Sequence, residues 1–162
     1  MAIIDDANVL LQKHYGISIS MKGLQETIEE MICAEETSPE EMLKMSILAQ
    51  QWSIYLDRTK GIVGYYLGFF DIKYSMLGAV RDEAKEDVKK ELKNSVLLAS
   101  RCKIDETEPA KILEASEWML KTTKAEIKIL KSLIGELESY SKMMKAKYFS
   151  FSRKYKKVLQ NL

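Results

Sequence analysis

The sequence predicts an all-α protein, an elongated helical bundle with long coiled-coil-like helices, and three observations favour this fold class. The 162 residues are 46% hydrophobic and 30% charged, which is typical of a folded chain. Only two prolines and seven glycines occur, too few for the many turns of a β-rich fold. Apolar residues recur at helical spacing over long stretches. We expect a single helical domain over residues 1–162.

The acidic N-terminal segment, residues 1–37, predicts two short helices. The first starts at Asp5 or Asp6 and ends at Gly16, because glycine readily adopts the left-handed backbone that follows a helix. The early aspartates, with no basic stretch before them, indicate that this segment is not a signal peptide.

The second and third helices have start signals of their own. Ser20 is the predicted N-cap of a second helix that runs to about Glu36. Ser38 is the clearest cap, because Pro39 suits the first helical position and Glu41 completes a capping box.

Residues 38–104 predict a long helical segment, of one helix or two, with an apolar seam and a glycine cluster. The predicted seam consists of Met45, Leu48, Trp52, Tyr55, Thr59, Ile62, Tyr66 and Phe69. Gly61, Gly64 and Gly68 share one face, and each costs about 1 kcal/mol of helix propensity relative to alanine. The glycines therefore indicate either a break near residues 61–68 or a close crossing of two helices.

Residues 105–162 predict a long basic C-terminal helix that starts near Pro109. With Ile127 at position a of a heptad, the register holds from residue 113 to 162. Position a is occupied by Leu113, Leu120, Ile127, Ile134, Ser141, Tyr148, Tyr155 and Leu162. Position d is occupied by Ser116, Thr123, Leu130, Leu137, Met144, Phe151 and Val158. Such a repeat predicts a helix of roughly 75 Å with coiled-coil-like packing, and therefore a homo-oligomer.

Charge is distributed unevenly behind an overall value of +1. Residues 1–43 hold two cations and nine anions, residues 44–120 hold twelve of each, and residues 121–162 hold eleven cations and three anions. The C-terminal part therefore carries +8, and nucleic acid is the first candidate for its anionic partner.

The candidate nucleic-acid-binding residues are the cations of the last helix and one aromatic side chain. They are Lys121, Lys124, Lys128, Lys131, Lys142, Lys145, Lys147, Phe149, Arg153, Lys154, Lys156 and Lys157. Lysines at positions b and e form a stripe that can follow phosphates, and Phe149 lies off the seam, where a base can stack on it. Tyr148, Phe151 and Tyr155 fall on the seam and are predicted to be core residues. The alternative for the stripe is a solvated face, or pairing with the acidic N-terminal third.

Catalytic and metal-binding patterns are weak in this chain, so we expect no enzyme, no cofactor and no metal. His14 is the only histidine, which excludes a multi-histidine site, and no phosphate-binding glycine loop occurs. Cys33 and Cys102 form no CxxC pair and predict free thiols in a reducing cytoplasm. The spacing of Cys33 or Cys102 from His14 is compatible with a Cys–His nucleophile pair, but no other feature of the sequence supports one. The most apolar run, residues 62–70, is too short to span a membrane.

Two short motifs resemble phage recombination mediators of the UvsY type over residues 41–157. Tyr65-Tyr66-Leu67-Gly68 resembles the Tyr-Tyr-x-Gly segment at the end of that family's long helix. The stretch from Lys145 to Arg153 resembles its basic and aromatic C-terminal pattern, with Phe149 in the phenylalanine position. The resemblance implies an oligomer in the host cytoplasm that binds single-stranded DNA, contacts a single-strand-binding protein and helps load a recombinase.

Two functions therefore follow as hypotheses. The first is a nucleic-acid-binding accessory protein, which the lysine stripe favours. The second is a helical structural or adaptor protein that acts only through protein contacts, which the regular heptads and the acidic N-terminal third fit equally well. A membrane-surface role is disfavoured, because the lysines and the apolar seam lie on adjacent faces, as in a bundle.

Overall fold

The computed structural model describes residues 2–34, 38–97 and 107–161. Over these residues the chain forms four helices and no strand, so the all-α prediction is confirmed. The helices are α1 (Ala2–Tyr15), α2 (Leu24–Cys33), α3 (Pro39–Leu97) and α4 (Glu108–Gln160). None of these helices is long and apolar enough to cross a membrane. The segment 39–97 is one helix, and the rest of the predicted long segment, from 98, lies outside the described residues.

Two glycines with left-handed backbones shape the connection between α1 and α2. Gly16 has a φ of 66° and directly follows α1, as predicted. Gly23 has a φ of 89° and is the N-cap of α2, so the prediction of Ser20 as N-cap is wrong. A left-handed residue cannot lie inside a right-handed helix, and α2 therefore begins only after Gly23. Ser20 Oγ instead accepts a hydrogen bond from the Lys22 amide at 3.3 Å, and the predicted end at Glu36 lies outside the described residues.

The long helices begin at the predicted places. Ser38 Oγ accepts a hydrogen bond from the Glu41 amide at 3.3 Å, which caps α3 as expected. Thr107 Oγ1 accepts one from the Ala110 amide at 3.4 Å and caps α4. Pro109 is the second residue of α4, where its missing amide proton costs no helical hydrogen bond.

The chain divides into two compact units, residues 1–65 with 130–162 (unit 1) and residues 66–129 (unit 2). Unit 1 contains α1, α2, the first part of α3 and the last part of α4. Its buried apolar residues are Ile4, Ala7, Leu11, Ile19, Leu24, Met31, Ala34, Met45, Ala49, Leu56, Val63, Leu130, Leu133, Leu137, Met144 and Phe151.

Within unit 1, α3 and α4 lie side by side and antiparallel. The hydroxyls of Ser46 and Ser152 share a hydrogen bond, with 2.7 Å between the Oγ atoms. Further along α3, the Ser141 hydroxyl donates to the Asp57 carboxylate at 2.6 Å. Because the second pair lies later in α3 and earlier in α4, the two helices run in opposite directions.

The buried seam of α3 differs from the predicted seam at alternate positions. Met45 and Thr59 are buried as predicted. The other buried apolar residues of this stretch each come one residue after a predicted seam position, and they are Ala49, Leu56, Val63 and Phe70. Tyr55, Ile62 and Phe69, which the prediction placed in the seam, are exposed. Tyr55 instead donates its hydroxyl hydrogen to the Ser20 carbonyl in the α1–α2 connection. Both flanks of the seam are apolar, so the spacing alone fits two registers, and the prediction followed the larger side chains.

The glycines of α3 do not break the helix, so that predicted explanation is wrong, and within the described chain they lie at no close crossing of two helices. The helix continues through Gly61, Gly64 and Gly68. Apart from the adjoining backbone of α3 itself, a Cβ atom placed at any of the three meets no atom of the described residues within 4 Å. The glycines therefore lie on an open face of α3, where the helical hydrogen bonds and the seam keep the backbone regular.

The predicted heptad register of α4 is confirmed by the pattern of burial. Every position d from Ser116 to Phe151 is buried, and Val158 is half-buried. Positions a are buried or half-buried throughout, except Leu162, which lies outside the described residues. Glu126 and Leu133, at position g, are buried as well, so the contact face extends to that side of the seam.

Unit 2 contains the second part of α3 and the first part of α4, and it has a thin core. Among its described residues only three large apolar side chains are buried: Phe70, Leu120 and Ile127. Eight large apolar side chains are exposed: Phe69, Ile72, Met76, Val80, Leu92, Ile112, Trp118 and Met119. The stretch 81–93 is highly charged and largely exposed, as predicted, with an ion pair of 3.4 Å between Lys89 and Glu86.

Candidate nucleic-acid interface

All the predicted cations lie on α4 and are exposed or half-buried. Those in unit 1 are Lys131, Lys142, Lys145, Lys147, Arg153, Lys154, Lys156 and Lys157. Those in unit 2 are Lys121, Lys124 and Lys128. The densest group is residues 142–157, called here the basic segment, and it belongs entirely to unit 1.

The seam of α4 fixes which way the basic segment faces. Met144 is fully buried and Phe151 is 1% exposed. Tyr148 and Tyr155 are half-buried, so the prediction that the seam aromatics belong to the core is confirmed for Phe151 and in part for the tyrosines. Since these side chains point into unit 1, the residues between them point outward.

A cationic depression with one exposed aromatic ring lies on the outward face of the basic segment. Its volume is about 300 Å³, and it is lined by Ala146, Phe149, Ser150, Arg153, Lys154 and Lys157. Phe149 is 62% exposed, and the Tyr148 ring packs edge-on against it at 5.4 Å between centroids. The lining residues recur every three or four positions, which places them along one helix face. The depression therefore combines a stacking surface with three positive charges.

Asp57 binds one of the predicted cations and joins α3 to α4. The Lys145 amine lies 2.9 Å from Asp57 Oδ2, and the Ser141 hydroxyl donates to Oδ1 at 2.6 Å. The Ser141 hydrogen bond, followed by that of Lys145, holds the pKa of the Asp57 carboxyl below its usual value. Lys145 is thus held against α3, and Asp57, Ser141 and Lys145 are called the Asp57 clamp below.

Two other cations have neighbours on their own helix. Lys142 lies 3.5 Å from Glu138, with both side chains at least half exposed, a pair that contributes little to stability. The Lys154 amine lies 5.8 Å from the Phe151 ring centroid, on the outer side of the core. The partners found for Lys142 and Lys145, Glu138 and Asp57, both lie outside the acidic N-terminal segment, which was the alternative partner suggested by the sequence.

In the described part of the chain, no group of three or more histidine, cysteine or acidic residues could hold a metal ion. Cys33 is a free, exposed thiol, and Cys102 lies outside the described residues.

Two features of unit 1 were not anticipated from the sequence. One feature of the sequence points to the Asp57 clamp: Ser141 is a polar residue at position a, where the neighbouring seam positions are apolar. A second depression, of about 370 Å³, is lined by Ser20, Lys22, Gln51, Trp52 and Tyr55. The Trp52 indole donates to Thr27 Oγ1 at 3.2 Å, so this side chain fastens α2 to α3.

Comparisons of this chain with family models, curated proteins and solved structures each found no match. The resemblance to the UvsY-type family therefore stays a prediction.

Proposed function

We propose that this protein is an accessory protein that binds single-stranded nucleic acid through the basic segment of α4. The observation that carries the proposal is the depression around Phe149, in which Arg153, Lys154 and Lys157 surround an exposed ring. In line with the resemblance, the proposed role is that of a recombination mediator. A recombinase, a single-strand-binding protein and further copies of the chain are its proposed partners.

Each part of the depression matches one chemical feature of a single strand. The cations can neutralise successive phosphates and release their counterions, which gives affinity without sequence preference. The Phe149 ring can stack on an unpaired base for about 1–3 kcal/mol. A duplex hides its base faces, so the exposed ring favours single strands over double-stranded DNA.

Charge reversal in the depression tests the proposal. Arg153→Glu combined with Lys157→Glu should abolish binding of a labelled oligonucleotide at moderate salt. At low salt, the slope of log K against log salt should become shallower by about 1.4, or 0.7 per lost phosphate contact. Reversing Lys142 and Lys145 would be less informative, because Lys145 also holds the Asp57 clamp.

The matched control is Lys85→Glu with Lys89→Glu, which makes the same charge change on an exposed face of unit 2. Equal loss of binding in both double variants would mean that net charge, and not the depression, drives binding.

The second candidate function is an adaptor that acts only through protein contacts. The exposed apolar side chains of unit 2 favour it, because large apolar patches mark sites of association. Oligonucleotide titration separates the two functions, since an adaptor would assemble normally but bind no oligonucleotide at low salt.

A further inference from the structure

Five exposed apolar side chains of unit 2 form a set called here the apolar edge: Phe69, Ile72 and Met76 on α3, with Ile112 and Met119 on α4. They are 41%, 59%, 65%, 44% and 38% exposed. Monomeric proteins rarely leave large contiguous apolar patches in water, and exposed sets of this kind are typical of association surfaces.

The register of the two helices places these residues on the same edge of unit 2. On α3, Phe69 comes one residue before the seam residue Phe70. Met76 likewise comes one residue before Leu77, which lies seven positions after Phe70. On α4, Ile112 and Met119 come one residue before seam positions a in the same way. In an antiparallel helix pair, residues that precede the seam by one position lie along a common edge. Ile72 lies between Phe69 and Met76 on the outer side of α3.

The exposed area corresponds to a stable interface between two chains. Large side chains bury on the order of 150–250 Å² when fully covered, so the exposures of the five side chains give roughly 500 Å² of apolar surface per chain. A standard interface buries about 800 Å² per partner, of which somewhat more than half is apolar.

The α3 part of the edge is also self-complementary. Small residues alternate with the large side chains of the apolar edge on α3, and they are Gly68, Ser75 and Ala79. In a two-fold arrangement the same surface meets itself in the opposite direction, and large side chains can then fit over small residues. The five residues of the edge include no cation, so it offers nothing to a phosphate backbone.

We propose that a second copy of this chain packs on the apolar edge, so that unit 2 is the self-association surface of the protein. This specifies the surface for the proposed self-association and is independent of nucleic-acid binding. Its test measures molecular mass, and the two proposals can therefore fail separately.

The test is sedimentation of the full chain over a range of concentrations. The wild-type chain should be a dimer or a larger assembly at micromolar concentration. Ile72→Glu with Met76→Glu should raise the dissociation constant about 100-fold or more, because each copy would bury two unpaired charges. Leu92→Glu is the control: it also replaces an exposed apolar residue of unit 2, which lies off the edge, and it should leave the mass unchanged.

Site-specific cross-linking provides a second measurement that does not depend on the charged variant folding. A cysteine at Ile72, in a chain with Cys33→Ser and Cys102→Ser, should give covalent dimers with a short bismaleimide, and a cysteine at Leu92 should not. A wild-type chain that is monomeric at tens of micromolar would overturn the proposal. So would a charged variant with unchanged mass, or equal cross-linking at both positions. Binding of phosphatidylcholine vesicles by a monomeric chain would assign the edge to lipid instead.

Discussion

Removal of the Asp57 carboxylate should destabilise unit 1, and the contacts of that carboxylate determine by how much. Ser141 is only 2% exposed, so Asp57→Ala leaves a buried hydroxyl without its charged acceptor. That loss costs about 2 kcal/mol. The Lys145 pair is about half exposed and adds no more than about 0.5 kcal/mol. With about 2–4 °C per kcal/mol for a chain of this size, the midpoint of thermal unfolding should fall by about 7 °C.

Asp57→Asn separates the hydrogen bond from the charge. Its amide oxygen can still accept from Ser141, so about half of the destabilisation should remain. The control is Asp82→Ala on the same helix, which removes an exposed carboxylate and should change the midpoint by less than about 1 °C. Circular dichroism at the helical band measures all four chains.

The pH dependence gives a further check on the Asp57 clamp. The folded pKa of Asp57 is below 3.8, so the stabilisation is complete above the unfolded pKa and is lost as pH falls through the folded value. The difference between wild type and Asp57→Asn should therefore shrink as pH falls below the ordinary pKa of an aspartate. Equal midpoints of wild type and Asp57→Ala at pH 7 would refute this reasoning, as would an Asp57→Asn difference that persists in acid.

Three further predictions concern binding and helix stability. Phe149→Ala should weaken single-strand binding about tenfold through lost stacking, while Leu159→Ala, at another exposed position of α4, should not; fluorescence anisotropy compares them. Asp57→Asn should strengthen oligonucleotide binding several-fold, because it frees Lys145 and removes a nearby negative charge; unchanged affinity would place Lys145 outside the interface. Gly64→Ala should raise the free energy of unfolding by about 0.5–1 kcal/mol in denaturant titrations, since its Cβ meets open space, and a loss of stability would mean that this face is covered.

The register of α4 could be read from the sequence because its pattern is unambiguous. Most apolar positions a and d have a polar residue on at least one side, and the 3.5-residue repeat continues without a slip, so the pattern fits one register. The helix starts at Ser38 and near Pro109 were predictable for a similar reason, since capping is decided within four residues.

The seam of α3 could not be assigned from spacing alone. Ile62 and Val63 are neighbours and both apolar, yet Val63 is fully buried and Ile62 is exposed. The glycines misled the prediction because low helix propensity can be outweighed by the packing of the same helix elsewhere.

The candidate site was predictable in its composition but only partly in its contacts. The exposure of Phe149 follows from its place off the seam, and the grouping of Arg153 and Lys157 beside it follows from helical spacing. The pairing of Asp57 with Lys145 could not be foreseen, because it depends on how α3 and α4 are aligned across 88 residues of sequence.

The most direct test of the central claim is a salt titration of the wild-type chain against a labelled single-stranded oligonucleotide. If four cations of the basic segment neutralise phosphates, log K should fall against log salt with a slope of about −3. An otherwise identical duplex should bind more weakly, since the Phe149 ring then has no free base to contact. Absence of binding at low salt would contradict the account and would leave the apolar edge of unit 2 as the surface through which the protein acts.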